Sequence, residues 1–214
     1  MEKDIEYIIE QLLFQNSSNI DELRHYAEQY NVPIMDKIST EFVKQLIRIK
    51  DVKSILEIGT AIGYSAMHFA SCDPGINVWT IERKEEMYEQ AISNIKDFGY
   101  ESQINVIFSD ALEAFELLPT DQSFDMIFID AAKAQSQKFF ELYEPLLKDD
   151  GIIITDNILY HGFVSNIEIV RNRNVKQMVK KVQKYNHWLM NHENYKTTLI
   201  NIGDGMAISK KEKL

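Results

Sequence analysis

Three oxygen-bearing side chains follow two apolar runs in the second half of the chain. Asp130 closes the run FDMIFID (124–130), and Asp156 and Asn157 follow the run GIIIT (151–155). If the two runs are neighbouring strands of a parallel sheet, their carboxyl ends share one edge and the three side chains converge. Two carboxylates and an amide oxygen suit Mg²⁺ or Mn²⁺ far better than zinc. Taken singly, each residue is also a common turn former after a strand.

Acidic residues also end the preceding apolar runs, close to a glycine turn. Gly59 and Gly63 bracket a turn in ILEIGTAIGYS (55–65), where glycine allows a ligand to approach the backbone. Glu82 ends the second run and can accept hydrogen bonds from both hydroxyls of a ribose, while Asp110 follows the third and can accept from an adenine amino group. Taken singly, either acid is more often a surface residue or a helix cap. Together they predict a nucleoside pocket, and the departure from G-x-G-x-x-G argues against a dinucleotide.

The hydrophobic pattern gives the order of the elements that must position these residues. After residue 53, short apolar runs alternate with amphipathic segments of helical length, such as 85–98 and 135–147. This alternation is typical of a mostly parallel sheet with helices on both faces, and near-continuous apolar runs are expected of strands covered on both sides. The runs 195–202 and 206–211 flank Gly203-Asp204-Gly205 and predict a closing antiparallel hairpin.

The beginning of the chain carries helical periodicity instead. Apolar residues between Ile5 and Leu13 repeat at helical spacing, and further helices are predicted over 20–30 and after Pro33. The predicted N-terminal caps are Ser18 or Asn19 for the second helix and Ser39 or Thr40 for the third. We therefore expect extra N-terminal helices in front of an α/β core.

Length and composition indicate one ordinary globular domain spanning 1–214, with a helical cap (1–50) and a Rossmann-like core (51–214). Hydrophobic residues make up 45% of the chain and charged residues 26%. The single cysteine, Cys72, excludes an internal disulfide and fits the cytoplasm. The acidic N-terminus does not resemble a signal peptide. No apolar stretch is long enough to span a bilayer, so no membrane association is expected. The net charge of −10 taken alone argues against nucleic acid.

The motifs EIGTAIGYS, TIE, SDA, FIDAAK and TDN resemble the metal-dependent O-methyltransferases related to catechol and caffeoyl-CoA O-methyltransferases. The resemblance covers nearly the whole chain and implies a seven-stranded class I methyltransferase fold that binds S-adenosylmethionine. It implies metal ligation by Asp130, Asp156 and Asn157, and a cover over the cofactor from the segment VPIM. The implied cofactor contacts are Met35, Glu57, Gly59, Thr60, Gly63, Ser65, Glu82, Asp110, Ala111 and Asp130.

Lys133 follows Asp130 in FIDAAK, and the resemblance implies that it is the general base. The alternative is a surface lysine that opens a helix. A neutral hydroxyl is a poor nucleophile, and a bound cation would stabilise its oxyanion and hold it in place. A second oxygen on the adjacent carbon can chelate the same ion, so the expected substrate carries two neighbouring oxygens. Tyr160 and His161 are expected near the substrate entrance without a catalytic role.

Two substrate classes fit this chemistry, and an acid-free stretch (169–192) separates them. One is a small catechol-like or caffeoyl-CoA-like phenol. The other is 5-hydroxyuridine at the tRNA wobble position, because the chain also resembles bacterial tRNA 5-hydroxyuridine methyltransferases, which form 5-methoxyuridine. An anticodon loop needs cations for its phosphates, whereas a small phenol does not. The candidate tRNA contacts are Arg171, Arg173, Lys176, Lys180 and Lys181. These cations place tRNA modestly ahead, although a charge run is more often a solvated helix face.

Two other classes of protein share this kind of sheet. A nicotinamide-dependent oxidoreductase does not match the glycine pattern and leaves Asp130, Asp156 and Asn157 without a role. A catalytically silent S-adenosylmethionine binder is excluded only by a working metal site. By analogy with the family, we also expect a homodimer that pairs through the N-terminal helices.

Overall fold

The apolar runs form the strands of one twisted sheet in the computed structural model, which describes residues 2–15 and 19–212. The strands are β1 (Ser54–Ile58), β2 (Asn77–Glu82), β3 (Ile104–Phe108), β4 (Phe124–Ile129), β5 (Leu147–Asp156), β6 (Tyr195–Ile200) and β7 (Met206–Lys211). Their order is β3-β2-β1-β4-β5-β7-β6. All pairings are parallel except those of β7, which runs antiparallel to β5 and β6. The predicted seven-stranded sheet with a C-terminal antiparallel hairpin is confirmed.

The strand order reverses between β1 and β4, and this reversal opens a crevice at the carboxyl ends. β1 pairs with β2 on one side and with β4 on the other, and β4 pairs in turn with β5. Connections on opposite faces diverge at such a point, which is where ligands bind in open α/β sheets. The expected parallel pairing of the two strands that end at Asp130 and Asp156 is therefore confirmed.

Helices cover both faces of the sheet. They are α1 (Glu2–Gln15), α2 (Leu23–Tyr30), α3 (Lys37–Lys50), α4 (Tyr64–Ala70), α5 (Glu85–Asp97), α6 (Ser136–Tyr143) and α7 (Arg173–Met190). Alternate residues of β4 divide between two cores because side chains alternate along a strand. Met126 and Phe128 pack with α3, α4 and α5, whereas Ile127 and Ile129 pack with α6 and α7. No helix among the described residues is both long and apolar enough to cross a membrane.

Two predicted helix starts differ from the structure. The N-cap of α3 is Asp36, whose carboxylate accepts the Ser39 backbone N–H at 3.0 Å, so neither Ser39 nor Thr40 is the cap. Aspartate caps as well as serine, and the helix simply begins one turn earlier. The second helical segment opens as a 3₁₀ turn at Asn19, and α2 follows Glu22 without a side-chain cap. The alternative cap, Ser18, lies outside the described residues.

The bounds of one helix and one strand in the α/β core also differ from the sequence prediction. The predicted helix 135–147 ends at Tyr143, and a 3₁₀ turn containing Pro145 follows it. Proline lacks the N–H that would continue the helix. β5 begins at Leu147 rather than at 151 because Leu147 pairs with Phe124 before a register shift. The exposed residues Asp149 and Asp150 hide this strand from the apolar pattern.

Candidate active site

A cavity of about 840 Å³ lies at the carboxyl ends of the parallel strands, where the strand order reverses. Ligand sites commonly measure about 300–1,000 Å³, so this one has the size for a cofactor with a substrate. The predicted residues that line it are Met35, Gly59, Thr60, Ser65, Glu82, Asp110, Ala111, Asp130, Lys133, Asp156 and Asn157. Glu57, Gly63 and the five candidate tRNA contacts are not on its wall.

Gly59 brings the end of β1 against the end of β4. Its φ is +107°, and a Cβ atom there would lie 2.2 Å from the carbonyl oxygen of Asp130. No other residue tolerates both the conformation and the contact. The first glycine of the turn therefore sets the spacing between the cofactor turn and the Asp130 side of the cavity.

Glu82 ties the glycine turn to the end of β2. Its carboxylate accepts backbone N–H groups from Ala61 at 2.9 Å, Arg83 at 3.0 Å and Lys84 at 2.9 Å. These three donors fix the orientation of the side chain and leave acceptor positions for ribose hydroxyls. Asp110 is held in a similar way, since its Oδ1 accepts the Leu112 N–H at 2.9 Å. Both acids thus present oriented oxygens to the cavity.

Glu57 lies behind the cavity wall, which corrects its expected place among direct cofactor contacts. It is fully buried, and its carboxyl group is hydrogen-bonded to the hydroxyls of Ser65 and Thr80. Burial raises the pKa of Glu57 to about 8, and the charges of Asp130 and Glu82 add to that rise. Glu57 therefore orients Ser65, which does line the cavity.

Asp130, Asp156 and Asn157 meet on the cavity wall. The amide nitrogen of Asn157 donates to Asp130 Oδ1 at 3.0 Å, and the Asn157 backbone N–H donates to Asp156 Oδ1 at 2.8 Å. Burial raises the pKa of Asp156 to about 7, and the charge of Asp130 adds to it. A cation placed between the two carboxylates would relieve this repulsion.

The donor set fits a hard divalent cation. It consists of two carboxylates and one amide, whose oxygen ligates once the Asn157 side chain turns its oxygen inward. Within the described residues, no group of three or more His, Cys, Asp or Glu side chains is arranged to hold a metal ion. A site here therefore depends on the Asn157 amide as its third protein ligand and leaves positions for water and substrate.

Lys133 lies beside this cluster at the start of a short 3₁₀ turn, Lys133–Gln135. Its ammonium nitrogen is 3.0 Å from Asp130 Oδ1, and the two side chains are 22% and 26% exposed. The lysine thus donates a hydrogen bond to a carboxylate oxygen that a metal cation would also bind. Ligand binding at Asp130 and the position of Lys133 are consequently coupled.

The N-terminal segment 33–36 covers the cavity and is clamped to the core. Arg24 donates to the Met35 carbonyl at 3.1 Å and to the Tyr64 hydroxyl at 2.5 Å. The Tyr64 hydroxyl in turn donates to Asp21 at 2.8 Å. Met35 is buried, and Tyr64 also lines the cavity. Residues 33–36 therefore line the cavity, as the predicted cover would require, and they are held by a half-buried arginine that the sequence pattern did not single out.

Among the cavity residues that sequence reasoning missed are Tyr64, Asp36 and Asp204. Tyr64 and Asp36 sit at helix starts, where a tyrosine reads as core and an aspartate as a cap. Asp204 lies inside the Gly-Asp-Gly turn, which reads only as a turn former. Its proximity to the cavity depends on the pairing of β7 with β5, which brings the hairpin turn to the site.

The basic stretch forms α7 and the residues just before it. Arg171, Arg173, Lys180 and Lys181 are exposed and Lys176 is half-buried. In the described part of the chain, none of the five forms an ion pair. α7 supports the segment that follows Asn157, since the side chain of Asn186 donates to the Ile158 carbonyl at 2.8 Å. α7 thus contacts a segment next to the cavity, and none of the five cations lines the cavity.

A seven-stranded sheet in this order, with β7 running against both neighbours and a nucleoside-type cavity at the strand ends, defines the class I, Rossmann-like methyltransferase fold. A sequence model of the O-methyltransferase family matches residues 11–212. The chain therefore belongs to the O-methyltransferase family. It is an S-adenosylmethionine-dependent O-methyltransferase, as the sequence predicted.

Known proteins across the family resemble this chain over most of its length. A Staphylococcus aureus protein solved as a candidate caffeoyl-CoA O-methyltransferase superposes with a TM-score of 0.93 and 56% identity, covering 97% of this chain and 98% of that one. A caffeoyl-CoA O-methyltransferase of Populus kitakamiensis is 30% identical over 175 residues, which cover 79% of this chain and 74% of that protein. A flavonoid 3',5'-methyltransferase of Vitis vinifera is 28% identical over 196 residues, covering 89% and 82%.

Proposed function

We propose that this enzyme methylates a hydroxyl oxygen that lies beside a second oxygen on its substrate, with Mg²⁺ or Mn²⁺ as its metal cofactor. The observation that carries the proposal is the meeting of Asp130, Asp156 and Asn157 on the wall of the cofactor cavity. Oxygen ligands of this kind select hard divalent cations. Lys133, whose nitrogen is 3.0 Å from Asp130 Oδ1, adds a candidate general base beside these oxygen ligands.

Each residue has a defined part in the proposed reaction. Transfer forms an O–CH₃ bond as the S–CH₃ bond of the sulfonium breaks, and the hydroxyl proton must leave. A divalent cation, when bound, stabilises the oxyanion and orients it for in-line attack. Lys133 is our candidate general base, and in its neutral amine form it would accept the hydroxyl proton. Glu82 and Asp110 hold the nucleoside end, and Met35 excludes water from above.

A small phenol with two adjacent oxygens is the first substrate class. The relatives from Populus kitakamiensis and Vitis vinifera are named for phenolic substrates, and both cover most of this chain. A catechol ring also offers the bidentate oxygen pair that the donor set calls for. These similarities support phenols ahead of the tRNA substrate that the basic stretch favoured at the sequence level.

A tRNA carrying 5-hydroxyuridine is the second class, and one observation favours it. Arg171, Arg173, Lys180 and Lys181 remain exposed and unpaired with described acids. Arg171 precedes α7 and the others lie on it, and α7 contacts the loop after Asn157. Five neighbouring cations, counting Lys176, fit phosphates better than a phenol. The base itself offers the same oxygen pair, its hydroxyl and the C4 carbonyl.

Two assays, one for each substrate class, test the proposal. Purified enzyme with S-adenosylmethionine and Mg²⁺ is given a catechol, and tRNA nucleosides from cells with and without the gene are compared by mass spectrometry. Methyl transfer to the catechol with unchanged nucleosides supports the phenol class. Loss of 5-methoxyuridine with accumulation of 5-hydroxyuridine supports tRNA. Transfer to neither substrate contradicts the proposal.

We also propose a cytoplasmic homodimer. The single cysteine, Cys72, fits a reducing compartment. On α1, Ile5 is 44% exposed, Tyr7 62% and Ile8 43%, which is an apolar surface suited to a second copy of the chain. Light scattering should give twice the monomer mass, and aspartate at positions 5 and 8 should reduce it to the monomer value.

A further inference from the structure

The loop that follows Asn157 holds its backbone in an uncommon conformation. Tyr160 has a φ of +48°, His161 of +58° and Gly162 of +74°, so three consecutive residues are left-handed. Only the third is a glycine. Side chains with a Cβ rarely adopt this region, and such residues persist where contacts from elsewhere in the fold hold them.

Those contacts come from the turn between β6 and β7, and they are of two kinds. The first is purely backbone: Ile158 donates to the Gly205 carbonyl at 3.0 Å and Leu159 to the Asp204 carbonyl at 2.9 Å. The second uses a side chain: the His161 backbone N–H donates to Asp204 Oδ1 at 2.5 Å. The segment next to Asn157 is thus held to the turn by backbone bonds alone, and the Asn186 side chain supports it from α7. The left-handed stretch has local bonds from Phe163 and Ser165, and its hydrogen bond to the turn is the one to the Asp204 carboxylate.

The Asp204 side chain faces this loop rather than solvent. It is 19% exposed, and among the described residues its Oδ2 is buried without a hydrogen-bond partner. That oxygen lies 3.7 Å from His161 Nδ1. Asp204, His161 and Gly162 all line the cavity on the side of Asp156 and Asn157. The loop is therefore a wall of the substrate half of the cavity, and Asp204 is its support.

We propose that Asp204 is a positioning residue that sets substrate affinity by holding the loop 160–162. The inference rests on the proposed function, because it assigns the substrate to this half of the cavity. Within the described residues, the hydrogen bonds of Asp130, Asp156 and Lys133 involve one another and Asn157, and Asp204 takes no part in them. Loss of the support should therefore weaken the bound ground state and the transition state equally, which raises KM and leaves kcat unchanged.

Two substitutions separate the acceptor from the charge. Asp204→Ala removes the acceptor, whereas Asp204→Asn keeps an oxygen for the His161 N–H. Asp73→Ala is the matched control, because Asp73 also accepts a backbone N–H, from Gly75 at 2.7 Å, but lies in an exposed loop away from the cavity. Three quantities are measured for each protein: hydrogen exchange of the loop amides, the Kd for S-adenosylmethionine, and KM and kcat for a catechol.

The expected result is specific to the alanine variant. Asp204→Ala should speed amide exchange in 160–162 and raise KM, each about tenfold, the effect of one lost hydrogen bond to a charged group. Its kcat and cofactor Kd should stay within about twofold, and Asp204→Asn should restore KM and exchange. Unchanged exchange in Asp204→Ala, or a fall in kcat with KM unchanged, would overturn the inference. If wild-type enzyme methylates no substrate, the proposed function fails, while loop exchange still decides whether Asp204 holds the loop.

Discussion

Lys133 and Asp130 share a hydrogen bond of 3.0 Å at the wall of the cavity, so the lysine lies beside the proposed metal site. If it takes the substrate proton, Lys133→Ala should lower kcat by about 10²–10⁴-fold, the usual contribution of a positioned base. The Kd for S-adenosylmethionine should stay unchanged, because the proposed contacts to the nucleoside are Glu82 and Asp110, which also line the cavity. Calorimetry and initial rates measure the two effects. Lys138→Ala, an exposed lysine on α6, is the control, and full turnover in Lys133→Ala would refute the assignment.

Glu57 makes the stability of the fold depend on pH. Its pKa is raised to about 8, chiefly by burial, so the folded state keeps a proton that the unfolded chain loses at lower pH. The stabilisation is therefore complete in acid and is lost as pH rises through about 8, with a slope of at most about 1.4 kcal/mol per pH unit.

Glu57→Gln imitates the protonated carboxyl and should remove this dependence. The Tm of the variant relative to wild type is expected to rise between pH 5 and pH 8.5, as followed by calorimetry. Other groups titrate in both proteins, so their contributions cancel in the comparison. A Tm difference that stays constant across this range would show that Glu57 is ionised in the folded protein.

Among the elements, the hairpin turn and the start of α3 depend on a single glycine. Gly203 has a φ of +58°, and a Cβ atom there would lie 2.1 Å from Asp36 Oδ2, the cap of α3. Gly203→Ala should lower the free energy of unfolding by about 1 kcal/mol from backbone strain and by about 1–3 kcal/mol from the clash. Gly99→Ala isolates the strain, since Gly99 has a φ of +77° with nothing within 4 Å. If urea denaturation gives the same loss of unfolding free energy for both variants, a side chain at position 203 does not clash with Asp36.

The basic face of α7 has its own test at this scale. Replacing Arg171 and Arg173 with glutamine should lower methylation of tRNA. It should also flatten the salt dependence of methylation, because fewer phosphate contacts mean that fewer counterions are released when tRNA binds. Methylation of a catechol should be unaffected, since neither arginine lines the cavity. Lys53 and Lys96, changed together to glutamine on other surfaces, match the charge loss. A parallel fall with both substrates would indicate that the arginines only support the fold.

The elements also show which features a sequence can predict. Strands covered on both faces, such as β1 and β4, are continuous apolar runs, so their positions along the chain followed from the pattern. The seven-stranded topology was implied by the family resemblance. Asp36 was missed as a cap because Ser39 and Thr40 offered the same chemistry one turn later. The length of β5 was missed because its first residues pair at the sheet margin, where polar side chains are tolerated.

At the scale of the whole molecule, the site combines residues that are far apart in the chain. Acids at strand ends were predictable because parallel strands bring them to one edge. The Arg24 clamp on Met35, the burial of Glu57 and the support from Asp204 depend on packing between distant segments, which no local pattern encodes. The substrate side is consequently the part of the site that the sequence described least.

We propose that Asp130, Asp156 and Asn157 hold a metal ion that methyl transfer needs and cofactor binding does not. Methyl transfer to a catechol and binding of S-adenosylmethionine are measured before treatment with EDTA, after it, and after return of Mg²⁺. EDTA should abolish transfer, Mg²⁺ should restore it, and the cofactor Kd should change little throughout. Full transfer in EDTA, or loss of cofactor binding together with activity, would mean that these residues do not hold such a metal.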